Sequence, residues 1–209
     1  MPTHLVWFRA DLRVHDNIAL AAACRSEDAS VLALFIATPE QWQQHDMAPR
    51  QAAYLKSHLN VLQHSLAEKG IPLIYKEVSD FAAQLQMLQA ICQQNGVTHL
   101  FYNYQYELVV GVVCEGFDDC VMLAPGSVMT GSHEMYKVFT PFKNAFVKRL
   151  KEALPECVAA PAVRGDAITD LPELTFNYPQ QTFDDLLFPA SEKSTIAKLR
   201  QFCKQGAGE

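Results

Sequence analysis

Residues 4–20 read HLVWFRADLRVHDNIAL, and three kinds of sequence meet within them. His4–Phe8 is a run of strand length rich in Leu, Val, Trp and Phe on both faces, as in a strand covered on both sides. Arg9–Asp16 then packs two arginines and two aspartates into eight residues. Asp16 and Asn17 stand where a helix through IALAAAC needs side-chain acceptors for its first free amides. Strand, charged junction and capped helix, in that order, make the first unit of a strand–helix–strand fold.

The pattern repeats outward from there. Val31–Ile36, Ile71–Tyr75, His99–Tyr102 and Val121–Leu123 are further short apolar runs. Between them, Pro49–Lys69 carries Leu55, Leu59, Leu62 and Leu66 at helical steps and ends at Gly70. Ser79 or Asp80 opens another helix, with Phe81, Leu85, Leu88 and Cys92 on one face and Asn95-Gly96 closing it. This alternation predicts an α/β domain over residues 1–125. Its core is a doubly wound, Rossmann-like sheet of five parallel strands, the first strand central and helices on both faces.

After Pro125 the character changes. Residues 126–190 read as an irregular interdomain connector with one helix beginning at Thr140-Pro141, where Phe142, Phe146 and Leu150 share a face. Residues 191–209 resume a helical spacing at Ile196, Leu199 and Phe202. They are expected to be the first helix of a further helical domain, so the chain reads as part of a longer protein.

Composition narrows the function classes. The chain is 49% hydrophobic and 19% charged, which is globular. A formal net charge of −6 argues against nucleic-acid binding by bulk charge. No apolar run is long enough to span a membrane and the N-terminus lacks a signal-peptide pattern. Six cysteines without a CxxC pair point to a reducing cytoplasm and to neither structural zinc nor disulfides.

Four segments can carry chemistry. Loops beyond the carboxyl ends of parallel strands are where ligands gather, and the junction after the first strand is one of them. It has neither GxGxxG nor P-loop spacing, so Arg9, Asp11, Arg13, Asp16 and Asn17 read first as scaffold, their charges satisfying one another and Asp16 capping the helix. The junction Ala37–Met47 is polar and aromatic, with Trp42 and His45 able to stack on a flat ligand. Tyr102, Tyr104 and Tyr106 alternate at the end of the fourth run, as pocket or as ordinary strand edge. Lys137, Lys143, Lys148, Arg149 and Lys151 interleave with Tyr136, Phe139, Phe142 and Phe146; this is a core-facing stripe with solvated lysines, or a phosphate-contacting patch. No local Ser–His–Asp, HExxH or Cys–His spacing is present.

The order of motifs adds what spacing cannot. HLVWFRADLRVHDNIAL, FIATPEQW, EKGIPL, VTHLFYNYQYE, VCEGFDD, MTGSHEMYKVFTPFKNAF and LRQFCKQGAGE together resemble the photolyase/cryptochrome family along nearly the whole chain. The likeness is greatest to its bacterial class I cyclobutane-pyrimidine-dimer photolyases. It implies that this α/β domain holds a light-harvesting antenna, 5,10-methenyltetrahydrofolate in that branch, which feeds a reduced FAD in a later helical domain. By position match Phe35, Ile36, Ala37, His45, Asp46, Met47 and Glu107 are the expected folate-binding residues, His45 stacking on the pterin. Repair of damaged DNA, FAD and the DNA-binding face belong, by the same resemblance, to the longer protein. The 209 residues alone are expected to be an inactive, monomeric, cytoplasmic fragment. After Tyr106-Glu107 the chain lacks the family's Asn-Glu-Arg-x-Arg-Asp stretch and runs about a dozen residues short, so folate is expected to bind weakly or not at all. Phe146 stands where the family usually has Trp. The alternatives are a light-signalling cryptochrome fragment, or a generic nucleotide-binding module that takes adenine at its first two strand–helix loops.

Overall fold

The computed structural model describes residues 1–104, 112–152 and 154–206. Five strands, β1 (Thr3–Phe8), β2 (Ser30–Ala37), β3 (Leu73–Glu77), β4 (Val97–Asn103) and β5 (Val113–Phe117), form one sheet in the order β3-β2-β1-β4-β5. Every pairing is parallel, and Trp7 of central β1 lies between Leu34 of β2 and Tyr102 of β4. The helices are α1 (Ile18–Ala23), α2 (Pro39–Gln44), α3 (Pro49–Ala67), α4 (Phe81–Gln94), α5 (Phe139–Glu152) and α6 (Glu192–Gly206).

Period-two side chains split the core into two layers. Val6, Phe8, Ala33 and Phe35 pack with Leu20 of α1 and Leu59, Leu62 and Leu66 of α3. Leu5, Trp7, Leu34 and Ile36 face the other way, onto Leu88, Ile91 and Cys92 of α4. Helices therefore cover both faces of a parallel sheet, the arrangement its two-sided apolar strands require.

The caps follow from side-chain chemistry, with one exchange of roles. Asn17, not Asp16, caps α1, its side chain accepting from the Leu20 amide at 3.0 Å. Asp16 sits at φ 52 and takes the Val158 amide instead, at 3.0 Å. Asp80 caps α4 by accepting from Ala83 N–H at 2.8 Å. That bond holds the Asp80 carboxyl below its ordinary range. A depressed folded value means the cap's contribution is complete above about pH 4 and is lost as pH falls through the lowered value. Asp80→Asn keeps a capping oxygen but cannot titrate. Its melting temperature is expected to fall less steeply than the parent's between about pH 4 and pH 2; parallel melting curves across that range would show that the cap is not proton-linked.

The connector is tied down rather than free. Gly70, at φ 73, ends α3, and a Cβ there would lie 2.9 Å from Gly165 backbone atoms. The connector crosses α3's end through Arg164 N–H to Lys69 O (2.9 Å) and Ile168 N–H to Ala67 O (3.0 Å). Further along, Leu174 and Phe176 are buried in the α1/α3 layer.

Other boundaries differ from the sequence expectation. The fifth strand is Val113–Phe117, and Val121 and Met122 are exposed. Phe101 and Tyr102 pair with Glu115 and Gly116, which carry no apolar run and so escaped a reading based on hydrophobicity. The Thr38–Met47 junction holds the short helix α2, started by Pro39. Helix α5 begins at Phe139, so Thr140 lies inside it, and none of its residues is buried. Its aromatic stripe is therefore not core-facing among the described residues; Phe142 packs on Phe146 and Tyr136.

Candidate functional site

In this order successive strands are added on one side of β1 as far as β3 and then, from β4, on the other, and an open α/β sheet leaves a crevice at its carboxyl edge where that switch falls. Here a polar knot fills that crevice. Asn103, at the last position of β4 and 4% exposed, donates its amide to Asp11 Oδ2 (2.6 Å), Asn17 Oδ1 (3.1 Å) and Asp119 Oδ2 (3.1 Å). Its Oδ1 accepts from Ala19 N–H at 3.3 Å. Arg13 pairs with Asp119, whose side chain is 2% exposed. Burial pushes the Asp119 carboxyl above its ordinary value, and Arg13 opposes that rise. The expectation that the loop's own charges neutralise one another is thus replaced by a different pairing: Asp11 is held by amides and Arg13 by a residue 106 positions away.

Arg9 takes neither route. It donates to Asn103 O, and its guanidinium lies 4.8 Å above the Trp7 ring and 5.9 Å from the Tyr102 ring centroid. Among the described residues it forms no ion pair. Desolvation lowers its affinity for the proton, with Asp11 opposing. Its charge is met by a backbone carbonyl, two aromatic faces and the nearby Asp11 carboxylate rather than by an ion pair.

Beside the knot, over the ends of β1 and β2, opens a cleft of about 1000 Å³. Its walls come from the β1 loop, from Phe35 and Ile36, from Trp42 and Met47, from Tyr54, Leu55 and His58 on α3, and from Phe81 and Leu85 on α4. The first turn of α6 closes one side with Thr195 and Ile196. Glu192 fastens that turn, accepting from Val14 N–H (2.6 Å) and His15 N–H (3.1 Å) and pairing with His15 Nδ1 at 3.0 Å. Aromatic and aliphatic side chains form one part of the walls and the charged groups of Arg9, Asp11, Arg13, Asp16 and Glu192 another, so the cleft can seat a flat organic ligand that also carries polar groups. Among the described residues no group of three or more His, Cys, Asp or Glu is placed to hold a metal.

The residues singled out from sequence divide accordingly. Phe35, Ile36 and Met47 line the cleft, as do Arg9, Asp11, Arg13 and Asp16. Ala37 is buried in the α1/α3 layer. His45 is exposed at the end of α2, its Nε2 2.6 Å from Gln41 Nε2, and Asp46 follows it at φ 55; neither lines the cleft. Glu107 and Tyr106 lie outside the described residues. Tyr104 packs edge-on to Tyr102, away from the cleft lining. Asn103, Asp119, Tyr54, His58 and Glu192 were not legible as site residues. Only Asn103 carries a local signal, an amide ending an otherwise apolar strand.

Fold and cleft together define a doubly wound α/β domain with an open cleft at its strand ends. The DNA photolyase family model matches residues 4–161, and the chain belongs to that family. It is 60% identical over 222 aligned positions to deoxyribodipyrimidine photo-lyase of Escherichia coli (strain K12), covering 100% of this chain and 47% of that protein. The chain thus spans about half the length of such relatives. Those 222 positions are thirteen more than this chain's 209 residues, so the relative carries residues with no counterpart here. Against Cryptochrome-1 of Arabidopsis thaliana the identity is 38% over 103 residues, covering 49% of this chain and 14% of that one. The crystal structure of a bacterial class III photolyase from Agrobacterium tumefaciens shares the fold, with TM-score 0.62 and 21% identity over 84% of this chain and 37% of that one.

Proposed function

We propose that this chain is the light-harvesting part of a DNA photolyase that splits cyclobutane pyrimidine dimers, its cleft seating the antenna chromophore. The observation that carries this reading is the aromatic cleft at the strand ends of a domain 60% identical to the E. coli enzyme. A volume of about 1000 Å³ accommodates a pterin-sized ring and its tail. Phe35, Ile36 and Met47 would bound a methenyltetrahydrofolate there, with His45, Ala37, Asp46 and Glu107 the remaining residues proposed from the resemblance. Bound folate would absorb near-ultraviolet light and pass the excitation on. This chain's own part is to orient the ring and keep water from it. FAD and the damaged DNA belong, in this reading, with the half of the longer relatives that the chain does not span. Among the described residues no helix is long and apolar enough to cross a membrane, and we place the protein in the cytoplasm.

A chimera tests it. These 209 residues replace the aligned half of the E. coli enzyme, and repair of dimer-containing DNA is measured against wavelength. Light-dependent repair is expected, with a near-ultraviolet contribution that disappears when folate is withheld. A chimera that holds flavin and repairs under direct flavin excitation, yet gains nothing from folate, would remove the antenna assignment. The 209-residue chain alone is expected to repair nothing.

A further inference from the structure

Helix α6 is joined to the α/β domain through one side chain. From Lys193 to Gln205 every residue of the helix is exposed, Leu199 by 59% and Phe202 by 70%, so packing does little to hold it. Its bonds to the connector run from Lys198 Nζ to Leu186 O and Leu187 O, and those two residues are themselves exposed. Among the described residues, each hydrogen bond between α6 and residues 1–125 is made by Glu192. Its Oε1 accepts from Val14 N–H at 2.6 Å; its Oε2 accepts from His15 N–H at 3.1 Å and lies 3.0 Å from His15 Nδ1. An acidic residue in the first turn ordinarily serves its own helix. Here Ser191 takes that part, its Oγ accepting from Ser194 N–H at 3.4 Å, and the Glu192 carboxylate turns outward to the β1 loop. Two amides aimed at the two oxygens of one carboxylate fix direction as well as distance.

The clamp stands against the cleft. Arg9, Asp11, Arg13, His15 and Asp16 of the β1 loop line it, and the next turn of α6 adds Thr195 and Ile196 to the same wall. A chromophore seated there and anything carried beyond α6 are thus referenced to each other through Glu192. The helix also acts as a lever. Cys203 lies eleven residues past Glu192, about 16 Å along the axis, so a swing of about 20° about the clamp moves it by about 6 Å. Resonance transfer of excitation falls steeply with separation and depends on the angle between donor and acceptor, so a swing of that size changes its yield. We propose that Glu192 is a positioning residue for excitation transfer. By clamping α6 to Val14 and His15 it holds the chromophore of the cleft at a fixed distance and angle from the flavin of the half that the chain does not span.

The inference rests on the antenna reading but can fail separately from it. Its first test uses the 209-residue protein with Cys120 and Cys157 replaced by serine, which leaves Cys203 the only exposed thiol among the described residues. Cys203 is labelled with a fluorophore that accepts tryptophan emission. The chain's two tryptophans, Trp7 and Trp42, both line the cleft, so time-resolved transfer reads the distance from cleft to helix. A narrow distance distribution is expected for each donor. Glu192→Ala is expected to broaden it about twofold, and Glu192→Gln, which keeps one acceptor oxygen, to fall between.

The second test uses the chimera described above, saturated with methenyltetrahydrofolate. The ratio of near-ultraviolet-sensitised repair to repair under direct flavin excitation is expected to fall roughly threefold in Glu192→Ala and to recover in part in Glu192→Gln. Should Glu192→Ala not fold, Glu192→Gln carries both measurements. Distances as narrow as the parent's in a folded Glu192→Ala protein overturn the proposal. So does a ratio that stays at the parent's value while both kinds of repair fall together, since Glu192 would then only stabilise the fold. A parent chimera that repairs under direct flavin excitation but shows no sensitised repair removes the antenna reading and this proposal with it, whereas an unchanged ratio in a sensitised chimera removes this proposal alone.

Discussion

Asn103→Leu is expected to destabilise the domain by about 4 kcal/mol, lowering its melting temperature by on the order of 10 °C. The side chains are close in volume, so the loss does not come from a cavity. It comes from the knot at the switch between β1 and β4, where one amide serves Asp11, Asn17 and Asp119 and receives Ala19 N–H. With Leu in place, a buried Asp11 carboxylate loses its 2.6 Å donor and Asp119 keeps only Arg13 and the Ile18 amide. Breaking a buried polar network by removing one member leaves its charges uncompensated, and that penalty far exceeds the net worth of the bonds themselves. Thermal melts followed by circular dichroism measure it. A loss under about 1 kcal/mol, the size of a single ordinary hydrogen bond, would mean water replaces the amide and the knot is not closed.

Arg164→Ala should be the next most damaging change, at about 3 kcal/mol. Its guanidinium donates to Cys24 O (2.7 Å), Ser26 O (2.6 Å) and Ala29 O (2.7 Å), gathering the carbonyls at the end of α1 and the turn into β2. Three geometrically fixed charged bonds require a planar fork, so Arg164→Lys is expected to recover less than half of the loss. Because those side-chain bonds tie the connector to the end of α1 and the turn into β2, the Ala variant should be cut by thermolysin near residues 160–170, before Val163 or Ile168, under conditions that spare the parent. Urea unfolding gives the energy and the digest gives the location. Unfolding curves that coincide for the Ala variant and the parent would show that the carbonyls are as well served by solvent.

The architecture was legible because its signals are local. His4–Phe8, Val31–Ile36 and His99–Tyr102 are apolar on both faces, and only a strand buried on both sides requires that. The Asp80 cap and the Gly70 stop likewise depend on neighbours within a few residues. β5 was misplaced for the opposite reason: Val113–Phe117 is an edge strand in which Glu115 and Gly116 dilute the pattern, while the run Val121–Leu123, whose Val121 and Met122 are exposed, imitates it. The site was legible only in outline. Loop position identified Phe35, Ile36 and Met47, but the partners of Arg13, Asn103 and Val14 lie 106, 92 and 178 residues off or nearby only in space. No spacing rule reaches that far. The exchange between Asp16 and Asn17 shows the limit even locally, since either residue type caps a helix and the choice was made by Val158 on a distant segment.

The position of Leu174 and Phe176 sets a schedule for synthesis. All five strands have been translated once Phe117 is made, yet the α1/α3 face of the sheet is completed by two side chains that come almost sixty residues later. At roughly 5–20 residues per second, the growing chain carries that face uncovered for about 3–12 s. During this interval Phe35, Tyr75 and Trp42 lack the aromatic partner that Phe176 later supplies, and the nascent domain presents a sticky surface beside the ribosome. A stop codon falling between the sheet and residue 174 would therefore release an aggregation-prone half-product rather than a smaller stable domain.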